Sequence, residues 1–238
     1  MMINTKLLRE ENFLELGTDK TLKINSANCN VTFLTRQYAV KSYAVLEQIV
    51  TYDYEIPKKK SNLSIYDDDQ IISINVLTND PNIVSSKLTI MVPEVESVSK
   101  VNVTLDKGDV SFQKKINYDS VSVTTMFGDI VVDDDMNCAN LKTDVGNVFI
   151  NSNVKDLYVK MGRGDLCYNH VEGKDAKGDL FIRHGTCQIA TNTNSYNIKY
   201  DNLSEKFFTA RTKGKELFEL NFHVVVRKGY LYIDSRRL

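Results

Sequence analysis

The sequence predicts an all-β, single-domain β-solenoid: a β-helix-like stack of rungs with a strand elaboration ahead of it and a C-terminal β-hairpin cap. Three observations predict this. First, a glycine followed by a polar residue and then an aliphatic one returns at intervals of 20, 18, 18 and 14 residues. The copies read Lys107-Gly108-Asp109-Val110, Phe127-Gly128-Asp129-Ile130, Val145-Gly146-Asn147-Val148, Arg163-Gly164-Asp165-Leu166 and Lys177-Gly178-Asp179-Leu180. A recurrence of this length marks one small strand unit that buries its apolar side only against its neighbours.

Second, positions −7, −5, −3, +2 and +4 from each glycine are apolar in 21 of 25 places, against 5 of 20 at the positions between them, so one strand face is buried and the other wet. Third, glycine tolerates positive φ, which suits Gly108, Gly128, Gly146, Gly164 and Gly178 to structural turns between two half-strands.

Taken in order, residues 1–20 form an N-terminal arm or short helix, and residues 21–238 form the solenoid domain. Met1 to Leu16 carry Lys6, Arg9, Glu10, Glu11 and Glu15, a mixture that suits neither a secretory signal nor a mitochondrial presequence. The expectation is a cytoplasmic protein. From Leu22 to Phe33 an earlier copy of the repeat is legible with Cys29 in the glycine's place: Leu22, Ile24, Val31 and Phe33 fall on the buried face, with Ser26 as the exception.

The elaboration follows as strands Tyr43 to Ile56, Leu63 to Tyr66, Ile71 to Leu77 and Lys87 to Val92, with a hairpin across Asp67-Asp68-Asp69-Gln70. The repeat core runs over about 94–200. The cap covers about 203–238, where Arg227-Lys228-Gly229 reads as the hairpin turn between Leu217 to Val226 and Tyr230 to Ile233.

The net charge of −1 over 238 residues offers no electrostatic case for nucleic acid, and no apolar run is long enough for membrane insertion. Cys29, Cys138, Cys167 and Cys187 are widely spaced and read as reduced thiols in or near the core; no zinc set is visible in any spacing. Asp109, Asp129, Asp165 and Asp179 would stack as a ladder of like charges. Either each caps its own turn or a cation sits between turns; Asn147, which interrupts the ladder, favours caps, and no cofactor is expected.

The succession Leu22 to Phe33, Leu88-Thr89-Ile90-Met91-Val92-Pro93, and Val101-Asn102-Val103-Thr104-Leu105-Asp106-Lys107-Gly108-Asp109-Val110 with its copies resembles the DUF4097 family, also called putative adhesin. The resemblance spans roughly Thr21 to Tyr200. It implies a β-solenoid with the repeats stacked as rungs and brings no catalytic residues. From Met1 to Leu16 the expectation is that the signal or anchor of the family's secreted members is lacking.

The functional expectation is therefore a non-catalytic β-solenoid binding or scaffold protein of the adhesin type, presenting a repeat surface to a protein or glycan partner, and not an enzyme. The candidate binding surface is the outward strand face bearing Lys142, Phe149, Tyr158, Lys160, Lys174 and Phe181, since exposed aromatics mark partner sites. Two alternatives stand beside it. A carbohydrate-active β-helix enzyme would need two carboxylates from different rungs in one groove. A self-assembling scaffold, or a homo-oligomer, would pair terminal strands between chains.

Overall fold

The computed structural model describes residues 4–17, 19–37, 39–52, 61–94, 98–113, 116, 118–170, 174–191, 196–201, 208–212 and 220–235, the side chains of 208–212 and 235 excepted. It is built from strands alone among these residues: β1 (Asn4–Leu14), β2 (Thr21–Asn28), β3 (Asn30–Arg36), β4 (Ser42–Tyr52), β5 (Leu63–Asp67), β6 (Ile71–Val76), β7 (Ile83–Pro93), β8 (Val98–Lys107), β9 (Val110–Phe112), β10 (Tyr118–Phe127), β11 (Ile130–Val132), β12 (Met136–Val145), β13 (Val148–Ile150), β14 (Val154–Arg163), β15 (Leu166–His170), β16 (Ala176–Thr191), β17 (Tyr196–Asp201), β18 (Phe208–Thr212) and β19 (Leu220–Ser235). No helix among the described residues is long and apolar enough to cross a membrane.

Each repeat is a long strand, a corner and a second strand, and the repeats stack in parallel register to make two walls. Wall one runs β5, β6, β2, β8, β10, β12, β14, the first half of β16, the first half of β19, β17, β18. Wall two runs β1, β4, β7, β3, β9, β11, β13, β15, then the second halves of β16 and β19. The inward columns, for example Val103, Val123, Leu141, Val159, Leu180 and Val224 on wall one with Val110, Ile130, Val148 and Leu166 on wall two, join in one buried cluster. The alternation in the sequence thus describes the interior of a solenoid.

The corners stack as closely as the strands. Gly108, Gly128, Gly146 and Gly164 all have positive φ, and the amide of Gly128 donates to the carbonyl of Val145 on the next rung at 3.0 Å. A Cβ on Gly146 would lie 2.0 Å from the Gly128 carbonyl oxygen, a backbone atom that cannot swing aside, so the column admits no side chain. Cys29 ends that column and escapes the rule. The rung beyond it, β6/β7, pairs Val76 with Ser26 and Lys87 with Asn30, so the long segment 77–86 stands opposite 27–29 and the corner over Cys29 is open.

Three expectations from the sequence are corrected. Gly178 is not a turn: it pairs with Leu157 in the middle of wall one, and the corner of that rung is Gly185, whose own Cβ would meet the Gly164 carbonyl oxygen at 1.8 Å. Arg227-Lys228-Gly229 is not a hairpin turn but the next corner, with Gly229 in register with Gly185 and all of β19 parallel to β16. The hairpin cap exists, made instead from β17 and β18, which pair antiparallel beyond β19 on wall one. Finally, Asn4–Leu14 is no helix. β4 offers an unpaired row of backbone donors and acceptors, and β1 satisfies it over its whole length, Asn4 with Tyr52 through Leu14 with Ser42. The β5/β6 hairpin across residues 68–70 is as expected.

Candidate functional site

Outward residues of a solenoid are brought together by register, one from each rung. On wall one the outward column Thr104, Thr124, Lys142, Lys160, Phe181, Val225 runs beside the column Asn102, Ser122, Asn140, Tyr158, Asp179, His223. Lys142, Tyr158, Lys160 and Phe181, all chosen from the sequence, are therefore neighbours on β12, β14 and β16. Lys142 Nζ lies 5.8 Å from the centre of the Tyr158 ring, and the Arg227 guanidinium lies 5.1 Å from that of Phe181. Phe181 is half-buried for this reason, and Tyr158 remains 38% exposed.

The other two residues fall elsewhere. Phe149 is on the outer face of wall two, between Val131 and Cys167, and is 37% exposed. Lys174 precedes β16 and its ammonium is 2.5 Å from Asp135. The elaboration covers neither aromatic, because β1 and β4 flank β7 at the opposite end of the stack.

A groove of about 670 Å³ crosses wall one from β10 to β16. Its charged lining is Lys142, Lys160, Arg163, Arg183 and a single carboxylate, Asp144, with His184 beside them. Gly162 is among its lining residues, packed so closely on the neighbouring rung that a Cβ would meet the Asp144 carbonyl oxygen at 2.4 Å. Met126 and Val145 add exposed apolar surface. A second depression of about 320 Å³ adjoins it through Lys160 and Phe181 and reaches Asp179 and His223, whose Nδ1 and Oδ1 are 3.3 Å apart. Sequence reasoning missed Arg163, Arg183 and His184: the corner that sets the register of Arg183 and His184 was assigned to Gly178, and with it the rung that faces Arg163.

The acidic residues are engaged structurally. At the corners each carboxylate or amide accepts from the next rung: Asp129 N–H donates to Asp109 Oδ1 at 2.8 Å, Asn147 N–H to Asp129 Oδ1 at 2.6 Å, Asp165 N–H to Asn147 Oδ1 at 3.0 Å, and Thr186 N–H to Asp165 Oδ1 at 2.7 Å. The ladder caps the neighbouring turn and not its own, and backbone dipoles answer the like charges. Asp179, which the sequence placed in this ladder, sits on wall one instead.

Asp133 and Asn151 begin a second ladder, with Asn151 Nδ2 donating to Asp133 Oδ1 at 2.8 Å and Asn169 Nδ2 to Asn151 Oδ1 at 2.7 Å. Asp134 is buried and accepts from Ile116 N–H at 2.7 Å. Burial works against ionisation of Asp135, but Lys174 and the Asn153 N–H together hold its carboxyl below the usual range. Asp68 accepts from the amides of Gln70 and Ile71, which also lowers its pKa. Among the described residues no group of three His, Cys, Asp or Glu is placed to hold a metal ion.

The cysteines are free thiols; Cys29 and Cys187 are buried, Cys167 is half-buried and Cys138 is exposed. Burial pushes the Cys29 thiol up to about 12 and raises that of Cys187 further.

No curated protein matches the chain significantly. Similar solved structures include a putative cell adhesion protein from Clostridium sporogenes, 12% identical, covering 97% of this chain and 100% of that one with a TM-score of 0.44. A putative adhesin from Bacteroides fragilis is 14% identical over 96% of this chain and 97% of that one, TM-score 0.47. One from Parabacteroides distasonis is 8% identical over 95% and 97%, TM-score 0.34. The family described as Toastrack DUF4097 matches residues 19–215, which takes in the stack from β2 to β18, and the chain belongs to that family.

Proposed function

We propose that the protein is a non-catalytic solenoid binding protein that presents the outer face of wall one to a partner. The observation that carries this reading is the convergence of Lys142, Lys160 and Phe181, from three successive rungs, on one groove, with Tyr158 in the depression that adjoins it. A glycoside hydrolase would place two carboxylates across such a groove; this one is lined by Asp144 alone. The test is retention of partners by immobilised full-length protein. Tyr158→Ser with Phe181→Ser should remove material that wild type retains, whereas Phe149→Ser on the other wall should not. Identical eluates from all three would overturn the reading.

A second reading, assembly through terminal strands, is favoured by one feature. β17 covers only Leu220–Val225 of β19, so among the described residues the stretch beyond it is paired on one side only, with Tyr230 and Tyr232 68% and 55% exposed. An open strand edge of this kind is a template for another chain.

A further inference from the structure

The groove on wall one carries a more specific message, which rests on the binding reading above. Its cations lie close together: Lys142 is directly opposite Lys160, Arg163 is on the same strand as Lys160, and Arg183 is on the next rung. Neighbouring rungs are about 4.8 Å apart, and like charges facing one another at that distance destabilise a sheet. Elsewhere on this molecule cations are paired with a carboxylate, as Lys174 is with Asp135 and Lys177 with Asp156. Among the described residues Lys160, Arg163 and Arg183 have no such side-chain partner. The chain as a whole has a net charge of −1, so this is a local concentration of positive charge and not a general bias.

We propose that the groove binds an acidic oligosaccharide with one carboxylate per ring, laid across the strands from β10 to β16. The cations lie on consecutive rungs, which matches a ligand whose charges recur at each residue of a short chain. Between them Met126, Val145 and the aliphatic stems of the lysines offer apolar surface suited to the C–H faces of pyranose rings. Single-stranded nucleic acid requires aromatic platforms for successive bases. The groove lining includes one ring, Phe181, and Arg227 already lies over it. The site is a groove that crosses four strands, which suits a chain better than the plane of a membrane. Such a ligand places the protein where acidic glycans are exposed, and Lys6, Arg9 and Glu11, which suggested a cytoplasmic location, are components of the edge strand β1.

The test is calorimetric titration of the full chain with tetragalacturonate at low salt. Binding is expected to weaken at least ten-fold in Lys160→Glu with Arg183→Glu, and as much for the fully methyl-esterified tetrasaccharide, which keeps the rings and loses the charge. Lys100→Glu, a single charge reversal on the exposed face of β8, should leave it unaltered. Melting curves establish that each variant is folded. No binding by wild type, equal binding of the ester, undiminished binding by the double variant, or tighter groove-dependent binding of an oligothymidylate or of anionic vesicles would each overturn the proposal. If wild type ignores the tetrasaccharide while partner retention still depends on Tyr158 and Phe181, the ligand class is wrong and the binding reading stands; if retention is also indifferent to them, both fall.

Discussion

At the corner of each rung a glycine stands because the next rung is a carbonyl oxygen away. The same column shows what relieves the requirement, since Cys29 occupies its open end. Gly146→Ala should therefore destabilise the protein by more than about 3 kcal/mol, through both the backbone conformation and a contact with Gly128 that cannot relax. Cys29→Ala should cost about 1 kcal/mol, mostly lost burial. Chemical denaturation of the two variants checks the contrast, and similar losses would show that the open corner is immaterial.

A second residue-scale consequence concerns His170. It is buried, with Nε2–H donating to the Lys174 carbonyl at 2.8 Å and Nδ1 3.4 Å from Thr191 Oγ1. Burial lowers its pKa in the folded state despite that carbonyl and the nearby carboxylates of Asp175 and Asp135. Unfolded chains then bind the extra proton first, so stability present above the unfolded value of about 6.5 declines as pH falls below it. Urea midpoints measured across that range should show a step in wild type that is missing in His170→Gln.

Among elements, β16 and β19 are the ones that alternation alone misassigns, and the reason is arithmetical. Buried positions lie an odd number of residues before a corner and an even number after it. Leu180 and Ile182 are inward whether counted forward from Gly178 or backward from Gly185, so the false copy still scored. Of its other positions Val171 fitted the pattern and Gly173 and Asp175 did not; the first two lie outside the described residues, and Asp175 is exposed.

Counted from Gly185 the copy reads Gly178, Leu180, Ile182, Cys187 and Ile189, and Gly229 adds Phe222, Val224, Val226, Leu231 and Ile233. Phe222 packs edge-on to Tyr168 with ring centres 5.5 Å apart, in register with Gly178, where a side chain is absent. If β19 is a true rung, Phe222→Ala should cost about 3–5 kcal/mol, as for other buried aromatics. A loss below 1 kcal/mol in thermal melts would reduce β19 to a loosely held cap.

For the molecule as a whole, space order departs from chain order: β2/β3 lies between β6/β7 and β8/β9. The chain thus closes one rung before building the rung that covers it, and β4 and β1 extend wall two beyond β7. The two ends of wall two remain different, β1 antiparallel at one and the exposed half of β19 at the other. Any pairing between β19 of one copy and β1 of the next is head-to-tail, and such contacts propagate unless the geometry closes. Light scattering over a range of concentrations should then show growth that Tyr232→Lys suppresses; a concentration-independent monomer would remove assembly from consideration.

Strand identity over the repeats, the buried face of their strands and the corner at most rungs were legible in the amino-acid sequence by itself, because side-chain alternation and the need for positive φ are properties of a few consecutive residues. The tertiary structure alone decided the rung order, the corner at Gly185 and the cationic groove. Those depend on which residues become opposite across strands some twenty positions apart, and hydrogen bonds between rungs settle that choice only once the stack has formed.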